Sequence, residues 1–252
     1  MSVAVVTGGT RGVGAGIARA FLRDGADVVV CARRPPPRPL GAGDRQARYL
    51  PLDVRDPEAA AQLCDRVARE LGSLDVLVNN AGGTPYRPLV EGAPRHHARV
   101  VELNLLAPLH LSRAAHAVMR GQRRGGAVVM VGSVSGGRPS PGSAAYGAAK
   151  AGLENLARSM AVEWAADGVR VNTVVLGMAR TELTELHYGD AAGVAAVSAT
   201  VPLGRLAEPD EVGDACVFLA SDAARYITGA SLAVHGGGER PAFLDAATAD
   251  RT

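Results

Sequence analysis

Apolar positions along the chain fall into two alternating kinds of segment. Short runs rich in Val and Leu stand at Val3–Thr7, Asp27–Ala32, Tyr49–Leu52, Leu74–Asn79, Ala127–Gly132, Val169–Val175 and Ser231–Val234. Several of them show little alternation of polar and apolar positions, as expected of strands covered on both faces. Longer stretches with helical character separate them: Val13–Arg23, Glu58–Leu71, His96–Met119, Ala144–Ala166 and Asp210–Ala220. Strand and helix in repetition predict an α/β fold, a doubly wound sheet of about seven parallel strands with helices on both faces. The chain shows no internal repeat and no hydrophilic linker, so residues 1–252 are read as a single domain.

Two segments break this rhythm. Pro35-Pro36-Pro37-Arg38-Pro39 cannot be helix interior, because proline lacks the amide donor and clashes with the preceding turn. The crossover between the second and third strands is therefore read as a loop with at most a short helix. The second break is Met178–Leu203, where helical signal is weak and strongest at Ala191–Ala199. Long segments of this kind serve as lids over binding sites or are plain surface excursions.

Composition narrows the class. The 252 residues are 47% hydrophobic and 21% charged, the balance of a soluble globular protein. A net charge of +2 and 4% aromatic residues disfavour a nucleic-acid surface. No apolar run reaches the roughly 18 residues of a membrane span, and a strand starting at Val3 leaves no room for a signal peptide. Cys31, Cys64 and Cys216 form no CxxC pair, which fits reduced thiols in a cytoplasmic protein. His96 and His97 are adjacent with no third ligand at metal spacing, so no metal is expected. Every basic residue but one is Arg, and the exception is Lys150. A flexible ammonium and a guanidinium fork are different reagents, so this lysine marks a place where only Lys works, chance survival in an Arg-rich chain being the bland alternative.

The turn Thr7-Gly8-Gly9-Thr10-Arg11-Gly12-Val13-Gly14 follows the first strand and opens the first helix. Glycines there let the backbone approach a pyrophosphate at the helix N-terminus; a plain tight turn is the bland alternative. A carboxylate for ribose hydroxyls would stand at the end of the second strand, but that strand runs into Arg33-Arg34. Arg11 and Arg33 could instead clamp a 2′-phosphate, which predicts NADP(H) over NAD(H) unless both are simply solvated. Tyr146 and Lys150 lie one helical turn apart on a shared face. A tyrosine with a pKa near 10 becomes a useful acid-base group beside a cation. Ser133, just past the fifth strand, could bond a substrate carbonyl oxygen.

These residues resemble the short-chain dehydrogenase/reductase family from residue 1 to about 238. Asn79-Asn80-Ala81-Gly82 is similar to the family's segment after the fourth strand, and Ser133, Tyr146 and Lys150 to its active site. The resemblance implies a Rossmann-type fold binding NADP(H) through Gly8, Thr10, Arg11, Gly12, Val13, Gly14, Arg33, Asn80, Ala81 and Gly82. It implies that Asp53 and Val54 meet the adenine and that Gly177, Met178, Ala179 and Thr181 meet the nicotinamide. Tyr146 would be the general acid of a ketone or 3-oxoacyl reduction. Lys150 would lower its pKa and bind the ribose, Ser133 would polarise the carbonyl, and Asn104 would hold a relay water. Oxidation of a secondary alcohol, of hydroxysteroid or sugar type, and a cofactor-sensing role without turnover are the alternatives. A homotetramer, or a homodimer, is the implied assembly. Pocket-lining positions by the same resemblance are Tyr86, Ser135, Arg138, Ser140 and Met178, with His187 and Tyr188 in the lid. The chain departs from the family's pattern at Leu176, where proline is usual, and at His235, where an acid is usual. Residues 239–252 extend beyond the usual end, as an interface tail or a disordered one.

Overall fold

Every apolar run forms a strand, with ends shifted by a residue or two from the sequence reading. A computed structural model of the protein describes residues 2–239 and 241. The chain opens with β1 (Val3–Thr7), α1 (Gly12–Arg23) and β2 (Asp27–Ala32). The proline-rich crossover carries no helix; it folds into a small hairpin, β3 (Gly41–Ala42) and β4 (Arg45–Gln46). Then come β5 (Arg48–Pro51), α2 (Pro57–Leu71), β6 (Val76–Asn79), α3 (Pro94–Val101), α4 (Ala107–Gln122) and β7 (Gly126–Ser133). The chain continues through α5 (Ala144–Trp164), β8 (Val169–Leu176), α6 (Thr184–Tyr188), α7 (Ala191–Thr200), α8 (Pro209–Ala220) and β9 (Ser231–Val234).

The main sheet is parallel throughout, in the order β5-β2-β1-β6-β7-β8-β9. Successive side chains point to opposite faces, so each uniformly apolar run feeds two cores. Val3, Val5, Val29, Leu77 and Met130 meet α2, α4 and α5 through Leu63, Leu111, Met119, Leu153 and Trp164. Ala4, Val6, Val28, Val30 and Val129 meet α1 and α8 through Ile17, Phe21, Val212 and Leu219. Each fully buried side chain of this size contributes about 1.5–3 kcal/mol. Cys31, Cys64 and Cys216 belong to these cores as free thiols, and burial pushes each up to about 12.

The predicted helix over His96–Met119 is interrupted. Between α3 and α4, residues Glu102–Leu106 form one wide π turn. Pro108 has no amide to offer the Asn104 carbonyl four residues back, so the α-helical ladder cannot close there. The lid segment also gains structure, as α6 and α7, the latter close to the predicted Ala191–Ala199. The C-terminal extension, apart from Glu239 and Pro241, lies outside the described residues.

Two glycines set how closely α1 and α8 cross. A Cβ on Gly16 would lie 2.3 Å from the Pro209 backbone, and one on Gly213 would lie 2.6 Å from Ala20 Cβ. Arg19 and Arg23 bind Asp210 across the same crossing, at 2.5 and 2.9 Å. Ala for Gly within a helix ordinarily stabilises by roughly 0.5–1 kcal/mol. At this crossing the added methyl must push the helices apart, and Gly213→Ala is expected to destabilise the fold by about 1–3 kcal/mol. Denaturant unfolding of the two proteins checks the sign.

Candidate active site

Parallel strands bring all their C-terminal ends to one edge of the sheet. The order reverses between β1 and β6, which opens a crevice of the kind where ligands bind. Gly8 and Gly12 turn the chain there at φ +61° and +51°, values that L side chains rarely adopt. A Cβ on Gly14 would lie 2.3 Å from the Gly8 carbonyl oxygen. The turn is braced from β6. Thr7 Oγ1 accepts from the amides of Asn80 and Ala81, each at 2.9 Å, and the Asn80 carboxamide donates to the Thr7 carbonyl at 2.8 Å. Asn80 and Ala81 thus hold the shape of the glycine turn. Thr10 is buried within it, and Arg11 stands exposed at the cap of α1.

The amide of Gly12 already donates to a carboxylate, Glu182 Oε1, at 3.1 Å. A helix N-terminus favours negative charge, and Glu182 is the stand-in anion that shows it here. The residues present therefore fit a dinucleotide phosphate. At the far end of the crevice Arg33 leaves β2 exposed. Asp53 is gripped by the Arg55 fork, at 3.0 Å to Oδ1 and 2.5 Å to Oδ2. Arg55, and more weakly Arg33, hold the Asp53 carboxyl below its ordinary range. Val54 is buried.

The chemical group assembles around Lys150, which is 3% exposed. Its Nζ donates to the Val131 carbonyl at 2.7 Å and lies 5.6 Å from the centre of the Tyr146 ring. Burial pushes the Lys150 ammonium down to about 8. Burial pushes the Tyr146 phenol up, and the Ser133 hydroxyl, hydrogen-bonded to it, pulls the other way. The balance in the protein alone is upward, opposite in sign to the shift expected from Lys150. Ser133 closes β7, where the sequence reading had it just past the strand, and its Oγ accepts from the Ser135 amide at 3.2 Å. Asn104 is fully buried in the π turn. Its carboxamide accepts from the Gly83 amide at 2.9 Å and donates to the carbonyls of Gly83 and Val100, at 3.0 and 2.8 Å. Gly82 fits between these groups: a Cβ there would lie 2.6 Å from Asn104 Oδ1 and 3.4 Å from Lys150 Nζ.

Leu176, where the resemblance expects a proline, ends β8, and the turn that follows is firmly tied. The Gly177 amide donates to Val234 at 3.0 Å, and Ala179 bridges Ala207 through Met178 and Arg180. Thr181 closes the segment, its Oγ1 accepting from Leu183 at 3.2 Å. Sequence reasoning missed Arg55, Glu182 and Glu239. Their partners are set by the turns of the folded chain, and for Glu182 the partner lies 170 residues away. The bracing role of Thr7 had a visible signal, a hydroxyl directly before the glycine turn.

A family profile described as enoyl-(acyl carrier protein) reductase matches residues 8–239. The 3-oxoacyl-[acyl-carrier-protein] reductase of Escherichia coli strain K12 is 37% identical over 240 residues, 93% of this chain and 96% of that relative. The chain belongs to the short-chain dehydrogenase/reductase family. It is also 43% identical to the cis-4-hydroxycyclohexanecarboxylate dehydrogenase of Sinomonas cyclohexanicum, over 93% of this chain and 95% of that relative. Among solved structures, the ligand-free aldohexose dehydrogenase of Thermoplasma acidophilum superposes with a TM-score of 0.86 at 28% identity, covering 100% of this chain and 96% of that one. Like other members of the family, this short-chain dehydrogenase/reductase is an oxidoreductase built around a nicotinamide cofactor.

Glu182 and a cofactor phosphate would compete for the Gly12 amide. A charge at a helix terminus is worth about 0.3–1 kcal/mol, so Glu182→Gln is expected to tighten cofactor binding about two- to fivefold. Titration of both proteins with NADPH by calorimetry checks it, and weaker binding in the variant would assign Glu182 a supporting role instead.

Proposed function

We propose that the protein reduces a ketone, or a 3-oxoacyl-type carbonyl, with NADPH as hydride source. The observation that carries this reading is the grouping of Tyr146, Ser133 and the buried Lys150 at one strand edge. The nicotinamide, when bound, supplies the hydride. Ser133 bonds the carbonyl oxygen and Tyr146 gives it a proton, so that an alcohol forms without a free alkoxide. A phenol raised by burial stays protonated at neutral pH, as a general acid must. Lys150 holds a positive charge beside the ring and orients the cofactor ribose. Asn104 fixes the loop at Gly83 and keeps the π turn against Lys150; a relay water there belongs to the same reading.

The preference for the phosphorylated cofactor rests on Arg11 and Arg33, both exposed, and on the lack of a carboxylate at the end of β2. Thr10, Val13, Gly14, Asp53, Val54, Ala81, Gly177, Met178, Ala179 and Thr181 complete the proposed cofactor contacts. A cytoplasmic homotetramer or homodimer is part of the same reading, supported by the exposed apolar side chains of Val162, Phe218 and Tyr226. No helix among the described residues is long and apolar enough to cross a membrane. Oxidation of a secondary alcohol is the second reading, favoured by the dehydrogenase name of the relative at 43% identity. A cofactor-sensing role without turnover accords less well with the intact Ser133, Tyr146 and Lys150.

Turnover is tested by following NADPH absorbance with a panel of 3-oxoacyl thioesters, cyclic ketones, quinones and steroid ketones. Tyr146→Phe is expected to lower kcat by roughly 10²–10⁴ while NADPH still binds. NADPH should exceed NADH in kcat/KM by about tenfold or more, and Arg33→Ala should narrow the gap. Equal values would remove the argument from Arg11 and Arg33. Reduction is expected to hold steady at and below neutral pH and to fall as pH rises through about 8, where Lys150 loses its charge. Alcohol oxidation should gain only at higher pH, as the phenol, which burial holds above its ordinary range, ionises. Rate profiles in both directions distinguish the two.

A further inference from the structure

One residue past Ser133 the site continues into a cavity of about 200 Å3. Val134 lines one side and the nicotinamide segment, Gly177 and Met178, another, so the cavity adjoins the proposed reacting centre. Its remaining walls carry charge and polarity. Arg138 stands there with its guanidinium on the Glu239 carboxylate, at 2.6 Å. His235 lines the same space, and its Nδ1 is buried with no hydrogen-bond partner among the described residues. Tyr188, on the lid helix α6, lies within the electrostatic reach of Arg138.

A buried ring nitrogen without a partner is costly and rare unless a polar group comes to it. A guanidinium fork matches a carboxylate in shape as well as charge. Glu239 shows which chemistry this fork accepts. Both side chains of the pair are partly exposed, 44% and 34%, and exposed pairs hold weakly. A second carboxylate can therefore displace the one the chain supplies. We propose that Arg138 and His235 form a carboxylate subsite, and that the substrate is an oxo- or hydroxy-acid whose free carboxylate binds there while its carbonyl or carbinol carbon faces Tyr146. This deepens the reading of Tyr146 as the reaction's acid-base group and rests on it. Arg138 is the anchor. His235, as the Nδ1–H tautomer, donates to the second oxygen. Glu239 holds the guanidinium in place until substrate arrives. A thioester offers neither the charge nor the second oxygen, and a methyl ester offers no charge and only a weakly accepting alkoxy oxygen in its place.

The test uses the full chain with NADPH and two acid–ester pairs, 4-oxocyclohexanecarboxylate and levulinate against their methyl esters. In the wild type, at least one acid is expected to exceed its ester in kcat/KM by about tenfold or more. Arg138→Gln should collapse that ratio to within about threefold, and Arg138→Lys should restore part of it. Glu239→Gln, which removes the competing carboxylate, should lower KM for the acid. Equal kcat/KM for acid and ester, or a ratio that Arg138→Gln leaves unmoved, overturns the subsite. Calorimetry of the NADPH-loaded protein with the unreactive probes cyclohexanecarboxylate and hexanoate, and with their amides, separates the subsite from the chemistry. Binding of a carboxylate but not its amide, lost in Arg138→Gln, together with no turnover of any ketone, would sink the ketone reading and leave the subsite standing. Neither turnover nor carboxylate binding overturns the subsite itself.

Discussion

A buried ammonium group must be given partners, and much of the strand edge is arranged to do so. Lys150 reaches down from α5 to the Val131 carbonyl in β7, two residues before Ser133. That single bond, at 2.7 Å, joins the helix that carries Tyr146 to the strand that carries Ser133. On the other side Gly82 and the Asn104 carboxamide close over the same nitrogen, at distances that leave no room for a Cβ on Gly82. An arginine could not replace it, since its planar fork would not fit where one compact charge points at one carbonyl. Desolvation brings Lys150 down to about 8, close enough to neutrality for its charge to respond to pH. The lone lysine of the sequence is thus the point at which α5, β7, the end of β6 and the π turn meet.

The edge is also arranged for anions. The glycine turn offers the Gly12 amide, Arg11 and Arg33 stand exposed after β1 and β2, and Arg138 lines the cavity beside Val134. In the protein alone, its own carboxylates sit on two of these positions, Glu182 on the Gly12 amide and Glu239 on Arg138. Both contacts are partly or wholly exposed, and both carboxylates lie on segments beyond the last strands of the sheet, Glu182 after β8 and Glu239 after β9. Such contacts are weak enough to exchange for a ligand and strong enough to keep the groups oriented. The Asp53–Arg55 pair differs, because the fork takes both carboxylate oxygens and sits two residues from its partner. It rigidifies the turn between β5 and α2.

The strands were legible because parallel strands covered on both faces must be apolar at nearly every position, and Val3–Thr7 and Asp27–Ala32 are written that way. The glycine turn, the Tyr146–Lys150 spacing and Ser133 were legible because each depends on local geometry. A turn needs particular residues, a helix fixes which positions share a face, and a strand end exposes its last side chain to the crevice. The π turn carried a local sign too, in Pro108, but helical periodicity spoke for one continuous helix. The proline-rich crossover forbade a helix and said nothing of the hairpin formed by Gly41–Ala42 and Arg45–Gln46.

By itself, then, the sequence determined the layered parallel fold, the edge at which chemistry could occur and the three side chains at its centre. Periodicity and turn chemistry are encoded within a few residues. Tertiary structure alone decided which charges meet. Glu182 reaches Gly12 across 170 residues and Arg138 reaches Glu239 across 101, and no local pattern records either. The direction of the Tyr146 shift was likewise decided there, because desolvation depends on the groups that the folded chain packs around a side chain, and that is a property of the whole molecule.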